Sequence, residues 1–97
     1  MTITRISEFQ ANPGLTDSLR NFLISIMPLI KSSQGCEAVT LYQSHEDSTK
    51  FTIIEVWESI ELHQMSAKNI PAEKLVEIRP LLASAPSGGY FNQVENQ

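Results

Sequence analysis

The sequence predicts an α+β domain of the ferredoxin-like, split β-α-β kind, in which helices cover one face of a four-stranded antiparallel sheet. The predicted strands and helices follow one another in the order β-α-β-β-α-α-β. A short polar loop joins the two middle strands, as in a hairpin, which places the third strand between the second and the first. With 97 residues, the chain is expected to form one domain over residues 1–97.

The first strand and the helix after it are predicted from the spacing of apolar residues. Residues 2–10 mix apolar and polar side chains, and the turn sequence Asn-Pro-Gly at 12–14 ends the strand. Thr16 or Asp17 is expected to cap the helix, and Pro28 predicts a bend inside it. Apolar side chains at steps of three and four make one helical stripe: Leu15, Leu19, Phe22, Leu23, Ile26 and Ile30.

The two middle strands are predicted at residues 36–43 and 51–57, on either side of an acidic and polar loop. The second of them is rich in β-branched and aromatic residues and contains neither Gly nor Pro. Its two faces are both largely apolar, so it needs a cover on each side. One face carries Phe51, Ile53, Glu55 and Trp57, and the other carries Thr52, Ile54 and Val56.

The face with Thr52, Ile54 and Val56 has no helix predicted to cover it. We expect the same face of a second copy of the chain to bury it, because a two-fold dimer pairs one self-complementary surface with itself. The predicted partner is therefore a homodimer mate.

The remaining elements are shorter. A short helix carrying His63 follows the third strand, and a further helix opens at Pro71, where a missing amide donor costs least. Pro80 argues against a regular helix beyond it. A loop at 85–89 then leads to a last strand, which is predicted at residues 90–94 and at the edge of the sheet.

Composition argues against several classes of function. Eleven acidic and seven basic residues give a formal charge of -4, and the basic residues are scattered, whereas nucleic acid asks for a basic stripe. No apolar run approaches the roughly 20 residues of a membrane span. The amino-terminal residues lack the features of a secretory signal, so a cytoplasmic location is expected. Cys36 is the only cysteine and His45 has no second His or Cys beside it, so no metal site is predicted.

Several short motifs occur in a distinctive order: Gly35-Cys36, Leu41-Tyr42, Asp47, Lys50-Phe51, Glu55 and Trp57-Glu58-Ser59. In this order and spacing they resemble the antibiotic biosynthesis monooxygenase family of dimeric α+β barrel proteins. The segments HQMSAKNIP and APSGGYF further resemble its quinol-monooxygenase-like branch. The resemblance implies that two sheets pair into a barrel. It also implies oxidation of a small aromatic, quinol or anthrone-like substrate by dioxygen, without a metal, flavin or haem cofactor.

The resemblance also implies where the site lies. In the anthrone-oxidising branch a Trp on this strand and a Tyr six residues later lie at the pocket, and here these positions hold Trp57 and His63. A His can accept a substrate proton near neutral pH, and Glu55, on the same face as Trp57, can orient the imidazole. The expected catalytic residues are His63, Trp57 and Glu55. The expected substrate-binding residues are Tyr42, Phe51, Ile53, Phe22 and Tyr90.

Other interpretations stay open. Trp57 can be an ordinary core aromatic, His63 a surface residue, and Glu55 a structural carboxylate paired within the sheet or dimer. The protein as a whole can be a ligand-binding or stress-associated dimer that does not oxidise its ligand. Haem degradation is a third possibility on this scaffold. It is disfavoured because that branch resembles a pattern with a Trp and a His about ten residues apart in the helical region and an Asn on strand one. In this chain the only Trp is on a predicted strand, and Ser7 stands near the position of the Asn.

Overall fold

The computed structural model describes all 97 residues, and its elements follow the predicted order. The strands are β1 (Ile3–Gln10), β2 (Cys36–Gln43), β3 (Lys50–Trp57) and β4 (Ser87–Phe91). The helices are α1 (Thr16–Lys31), α2 (Ile60–Ser66) and α3 (Ala72–Ile78), with 3₁₀ turns at Ala67–Asn69 and Arg79–Leu81. The antiparallel sheet has the order β2-β3-β1-β4, which confirms the ferredoxin-like fold class.

The hydrophobic core lies between α1 and one face of the sheet. On β3, Phe51, Ile53 and Trp57 are at most 2% exposed. The helix contributes five buried residues, all on the predicted stripe: Leu19, Phe22, Leu23, Ile26 and Ile30. Burial of this many large side chains supplies the main driving force for folding the domain.

The other face of the sheet is more open. Thr52, Ile54 and Val56 are only half-buried, as the alternation along β3 predicts. Tyr42 and Phe91 lie on this face as well, because the register pairs them with Thr52 and Thr4. They are 53% and 50% exposed. This surface, which we call the open sheet face, therefore combines aliphatic and aromatic side chains.

Two element boundaries differ from prediction. Helix α1 begins at Thr16, so its N-cap position is occupied by Leu15, which has no side-chain acceptor, and neither Thr16 nor Asp17 caps it. Strand β4 begins at Ser87 and ends at Phe91 instead of covering residues 90–94. Its two glycines have little strand preference of their own, but they pair with Ser7 and Ile6 of β1.

Residues 60–78, which we call the cover segment, comprise α2, the first 3₁₀ turn and α3. Neither helix contains a fully buried residue, although Leu62 and Ile78 pack partly against the core. Asn69 Nδ2 donates a hydrogen bond of 2.9 Å to the Ser33 hydroxyl below it. The cover segment therefore contacts the rest of the domain mainly through partly buried side chains and a few hydrogen bonds. None of the helices is both long and apolar enough to cross a bilayer.

The chain that leaves the cover segment is tied to the end of β1. Asn12 Nδ2 donates to the carbonyl oxygens of Pro80 at 3.0 Å and Leu82 at 2.8 Å. The Ala83 amide donates to the Gln10 carbonyl at 2.8 Å. These bonds fix the point from which the chain returns to form β4.

Candidate functional site

Four residues, one from each strand, form a row across the helix-covered face of the sheet. The strand register places Val39 beside Glu55, Glu55 beside Arg5, and Arg5 beside Tyr90. We call this set the cross-strand row. Neighbours at directly opposed positions have Cβ atoms about 5 Å apart, so their side chains can interact. The row brings two charged residues into a face that is otherwise mostly apolar.

Glu55 and Trp57 are buried and bonded to each other. They are two residues apart on β3, so both point to the helix-covered side, where they are 6% and 0% exposed. The indole Nε1 of Trp57 donates a hydrogen bond of 2.8 Å to Glu55 Oε1. This bond gives the carboxyl group a partner within its own strand.

His63 lies against these two residues and Tyr90. Its Nδ1 is 2.6 Å from the Tyr90 hydroxyl oxygen, within hydrogen-bond distance. Its ring centroid is 5.3 Å from those of both Trp57 and Tyr90, in edge-to-face arrangements of 71° and 79°. The His63 side chain is only 21% exposed. The structure thus brings Glu55, Trp57, His63 and Tyr90 into one group.

The start of α2 determines where His63 lies. Ser59 caps the helix through its hydroxyl, which accepts a hydrogen bond from the Leu62 amide at 3.2 Å. The helix can approach the sheet closely because residue 35 is Gly: a Cβ there would lie 2.6 Å from Leu62 Cδ1. Gly35 also has a φ of 90°, in the left-handed region that favours glycine. His63 then follows Leu62 directly.

Arg5 belongs to the same group, although the sequence analysis did not single it out. Its guanidinium carbon lies 4.7 Å from the centroid of the Tyr90 ring, at cation-π distance. It forms no ion pair, and its buried Nε has no hydrogen-bond partner. Alternation from Ile3 to Phe9 was the available signal, because it places Arg5 among inward-facing residues of β1.

Burial dominates the electrostatics of the group. It raises the pKa of the Glu55 carboxyl, while the hydrogen bond from Trp57 and the charge of Arg5 partly oppose that rise. Burial also lowers the pKa of His63, and Arg5 lowers it further. His63 Nε2 is 3.9 Å from Glu55 Oε1, too far for a hydrogen bond. At neutral pH the imidazole is therefore uncharged, and this contact is not an ion pair.

The other residues predicted to bind substrate lie apart from His63. Phe22, Phe51 and Ile53 are part of the hydrophobic core on the same side of the sheet. Phe51 also borders a groove of about 200 Å³ at the far end of β3, together with Phe9. These three residues therefore have a packing role in the structure, and a contact with substrate remains a prediction.

Tyr42 is on the opposite side of the sheet from Trp57. It pairs with Thr52 of β3, whose side chain faces away from the helices, and its own ring is 53% exposed. The structure does not bring it to the group around His63. Tyr42 belongs instead to the open sheet face.

The larger grooves on the surface are not lined by His63 or Trp57. One of about 530 Å³ runs between α1 and β2 and has a mostly apolar lining: Ile24, Met27, Pro28, Lys31, Val39 and Leu41. Neither this groove nor the one beside Phe51 is lined by His63 or Trp57. The structure contains no group of three or more His, Cys, Asp or Glu side chains that could hold a metal ion.

Comparisons with known proteins agree with this fold. The family model described as antibiotic biosynthesis monooxygenase matches residues 2–69. Rv0793 from Mycobacterium tuberculosis has a similar structure, with a TM-score of 0.84 at 16% identity over 99% of this chain and 98% of its own. PA3566 from Pseudomonas aeruginosa has a TM-score of 0.82 at 22% identity, covering 97% of this chain and 95% of its own.

A third similar structure is SnoaB from Streptomyces nogalater, described as a cofactor-independent oxygenase and solved as a mutant. Its TM-score is 0.79 at 13% identity, covering 98% of this chain and 95% of its own. No curated protein matches the chain in sequence.

Proposed function

Because the chain belongs to the antibiotic biosynthesis monooxygenase family, we propose that it is a cofactor-independent monooxygenase of a small aromatic, quinol or anthrone-like substrate. The observation that carries the proposal is the position of His63, an uncharged imidazole held between Tyr90 and Trp57. The description of SnoaB as a cofactor-independent oxygenase supports it.

His63 is the proposed general base. Its lowered pKa keeps the imidazole unprotonated at neutral pH, as a base must be before it acts. In the productive tautomer, Nδ1 donates its proton to the Tyr90 hydroxyl oxygen, which leaves the lone pair of Nε2 free. Nε2 then takes a proton from the substrate. The imidazolium that forms lies 3.9 Å from Glu55 Oε1, where an ionised carboxylate stabilises it.

The reaction balances without an external reductant. Loss of the proton gives an electron-rich anion, which transfers one electron to dioxygen, and the two radicals combine into a peroxide. For an anthrone methylene, the O–O bond then breaks, one oxygen stays as the new carbonyl, and the other leaves as water with both methylene hydrogens. The protein's part is to take the first proton, return it to the leaving oxygen, and exclude water from the anion.

The proposed assembly is a homodimer in which the open sheet faces of two protomers pack together. Ile54, Val56 and Phe91 offer apolar surface there, and a self-complementary face suits two-fold symmetry. Two such sheets would enclose a barrel, with the helices and one His63 site of each protomer on the outside.

Oxygen uptake tests the proposed activity. With a panel of quinols and anthrones, we expect consumption of dioxygen that falls by about 10²–10⁴-fold in His63→Ala, the usual loss when a general base is removed. His45→Ala is the matched control, because His45 is exposed in the loop between β2 and β3. Oxidation at an unchanged rate in His63→Ala would exclude His63 as the base.

The second candidate is a ligand-binding dimer that does not oxidise its ligand. One observation favours it: the mostly apolar groove of about 530 Å³ lies between α1 and β2 and is not lined by His63. Binding of the same compounds without oxygen uptake, abolished by Met27→Glu in the groove and unaffected by His63→Ala, would support this candidate over the first.

A further inference from the structure

We infer that Arg5 is the anion-recognition residue of the His63 site, and that it selects aromatic ligands carrying an ionised oxygen. As an account of substrate choice, this inference rests on the proposed function. As a statement about ligand binding, it depends only on the contacts that Arg5 makes in the structure.

The guanidinium has hydrogen-bonding capacity that the protein does not use. An arginine carries five N–H donors, yet Arg5 makes no side-chain hydrogen bond and no ion pair, and its Nε is buried without a partner. Its cross-strand neighbour Glu55 is bonded to Trp57 instead. Leaving a buried charged donor unpaired is costly, so an acceptor supplied by a ligand would be bound favourably.

One neighbour contacts the guanidinium without using its donors, and another leaves room for it. The Tyr90 ring lies 4.7 Å from its central carbon. On the same strand, residue 88 is Gly, and a Cβ there would lie 2.5 Å from Arg5 Nη2 and 2.9 Å from its Cζ. Cβ atoms essentially never make non-bonded contacts that short, so a side chain at residue 88 would push the guanidinium out of its present position over β4.

The groups facing Arg5 indicate the class of ligand. Glu55, His63 and Tyr90 are the titratable residues around it, and Tyr90 connects it to His63 through the 2.6 Å contact. Trp57 and His63 add aromatic surface. A flat aromatic ring with one ionised oxygen matches this combination, because its oxygen can accept charge-assisted hydrogen bonds from the guanidinium.

The test compares 4-nitrophenolate with 4-nitroanisole, a neutral analogue of similar shape, by titration calorimetry at a pH where the phenol is ionised. We expect the protein to bind the anion more tightly and Arg5→Met to lose about tenfold of that preference, the effect of one charge-assisted hydrogen bond. Arg5→Lys should keep part of it, since it retains the charge without the planar fork. Equal binding of both probes, or an undiminished preference in Arg5→Met, would overturn the inference.

A second pair of variants keeps Arg5, and only one of the two is expected to displace its guanidinium. Gly88→Ala should displace the guanidinium and reduce the preference as Arg5→Met does. Gly89→Ala, whose Cβ would meet only the Phe91 ring at 3.4 Å, should leave it unchanged. If Gly88→Ala folds and keeps the full preference, the inference is wrong.

The probes also separate this inference from the proposed function. Neither has to be oxidised to be bound, so calorimetry reports on Arg5 alone. An anion preference that Arg5→Met loses, without oxygen uptake on any quinol or anthrone, would leave Arg5 as a recognition residue and remove the monooxygenase proposal. Oxygen uptake together with an undiminished anion preference in Arg5→Met would do the reverse.

Discussion

Glu55 and His63 couple folding to pH in opposite directions. The folded state raises the pKa of Glu55 above its ordinary value of 4.5, so this group favours folding at low pH, and its contribution is lost as pH rises through the raised value. The folded state lowers the pKa of His63 below 6.5. The contribution of His63 to the free energy of unfolding is therefore complete above pH 6.5 and is lost as pH falls towards the lowered pKa.

Glu55→Gln separates the two effects. Glutamine keeps an oxygen that can accept the hydrogen bond from the Trp57 indole N–H, but it cannot ionise. The free energy of unfolding of Glu55→Gln, relative to the unaltered protein, should therefore increase as pH rises above 4.5. Urea unfolding at several pH values measures this, with Glu58→Gln at an exposed position as the control. A difference that does not change with pH would contradict the prediction.

His63 should titrate below 6.5 in the folded protein, since burial and Arg5 both disfavour its charged form. Proton–carbon NMR of the imidazole Cε1–H against pH gives this value directly, and a His45→Ala variant assigns the signal because the chain has two histidines. Arg5→Met should move the His63 midpoint upward. A midpoint above 6.5 in the unaltered protein would be incompatible with a partly buried imidazole beside Arg5.

At the scale of single residues, the sequence alone identified part of the group around His63. Alternation put Glu55 and Trp57 on one face, the resemblance pointed to Trp57 and His63, and Tyr90 was expected among the substrate-binding residues. Arg5 and Gly88 were not identified, because their relation exists only across the β1–β4 pairing. Tyr42 was also expected at the site, but it pairs with Thr52 and therefore lies on the other face of the sheet. That pairing follows from the strand register, which the sequence alone does not give.

Among the elements, the cover segment is the least deeply packed part of the helical layer. It has no fully buried residue, whereas α1 has five. His63 lies on this segment and lines none of the larger grooves. Access for a substrate would therefore involve movement of the segment while the sheet stays paired.

The tether at Asn12 should contribute measurably to stability. Asn12→Ala removes two hydrogen bonds to the carbonyls of Pro80 and Leu82, and we expect it to lower the free energy of unfolding by about 1–3 kcal/mol. Urea denaturation measures the change. Asn92→Ala is the control, since Asn92 is exposed and makes no side-chain hydrogen bond. Equal stabilities of the two variants would show that the tether is dispensable.

The elements differ in how well their sequences predict them. Strand β3 was predicted to within one residue, and the apolar stripe of α1 was predicted correctly because its periodicity is strong. Strand β4 was predicted three residues too late in the chain. Ser87 to Gly89 have the composition of a turn and enter the sheet only because they pair with β1. The α1 cap was misassigned because propensity favours Thr and Asp there, while the helix starts after Leu15.

At the scale of the whole molecule, the open sheet face predicts that two copies of the chain associate into a dimer. We expect the protein to sediment with twice its mass of 10.9 kDa, and Ile54→Lys to shift it to the monomer by placing a charge in the middle of that face. Val76→Lys is the control, at a helix position that is 68% exposed. A monomeric unaltered protein at micromolar concentration would contradict the proposed assembly.

The cross-strand row has a consequence for the protein's synthesis. Each strand supplies one member, and Tyr90 is on the last strand, so a nascent chain still lacking β4 has neither the ring that holds Arg5 nor the hydroxyl beside His63. The site can be completed only when β4 pairs with β1. Since Trp57 is the only tryptophan and its ring lies against His63, its fluorescence during refolding should report when α2 packs on the sheet, a step distinct from the pairing of β4.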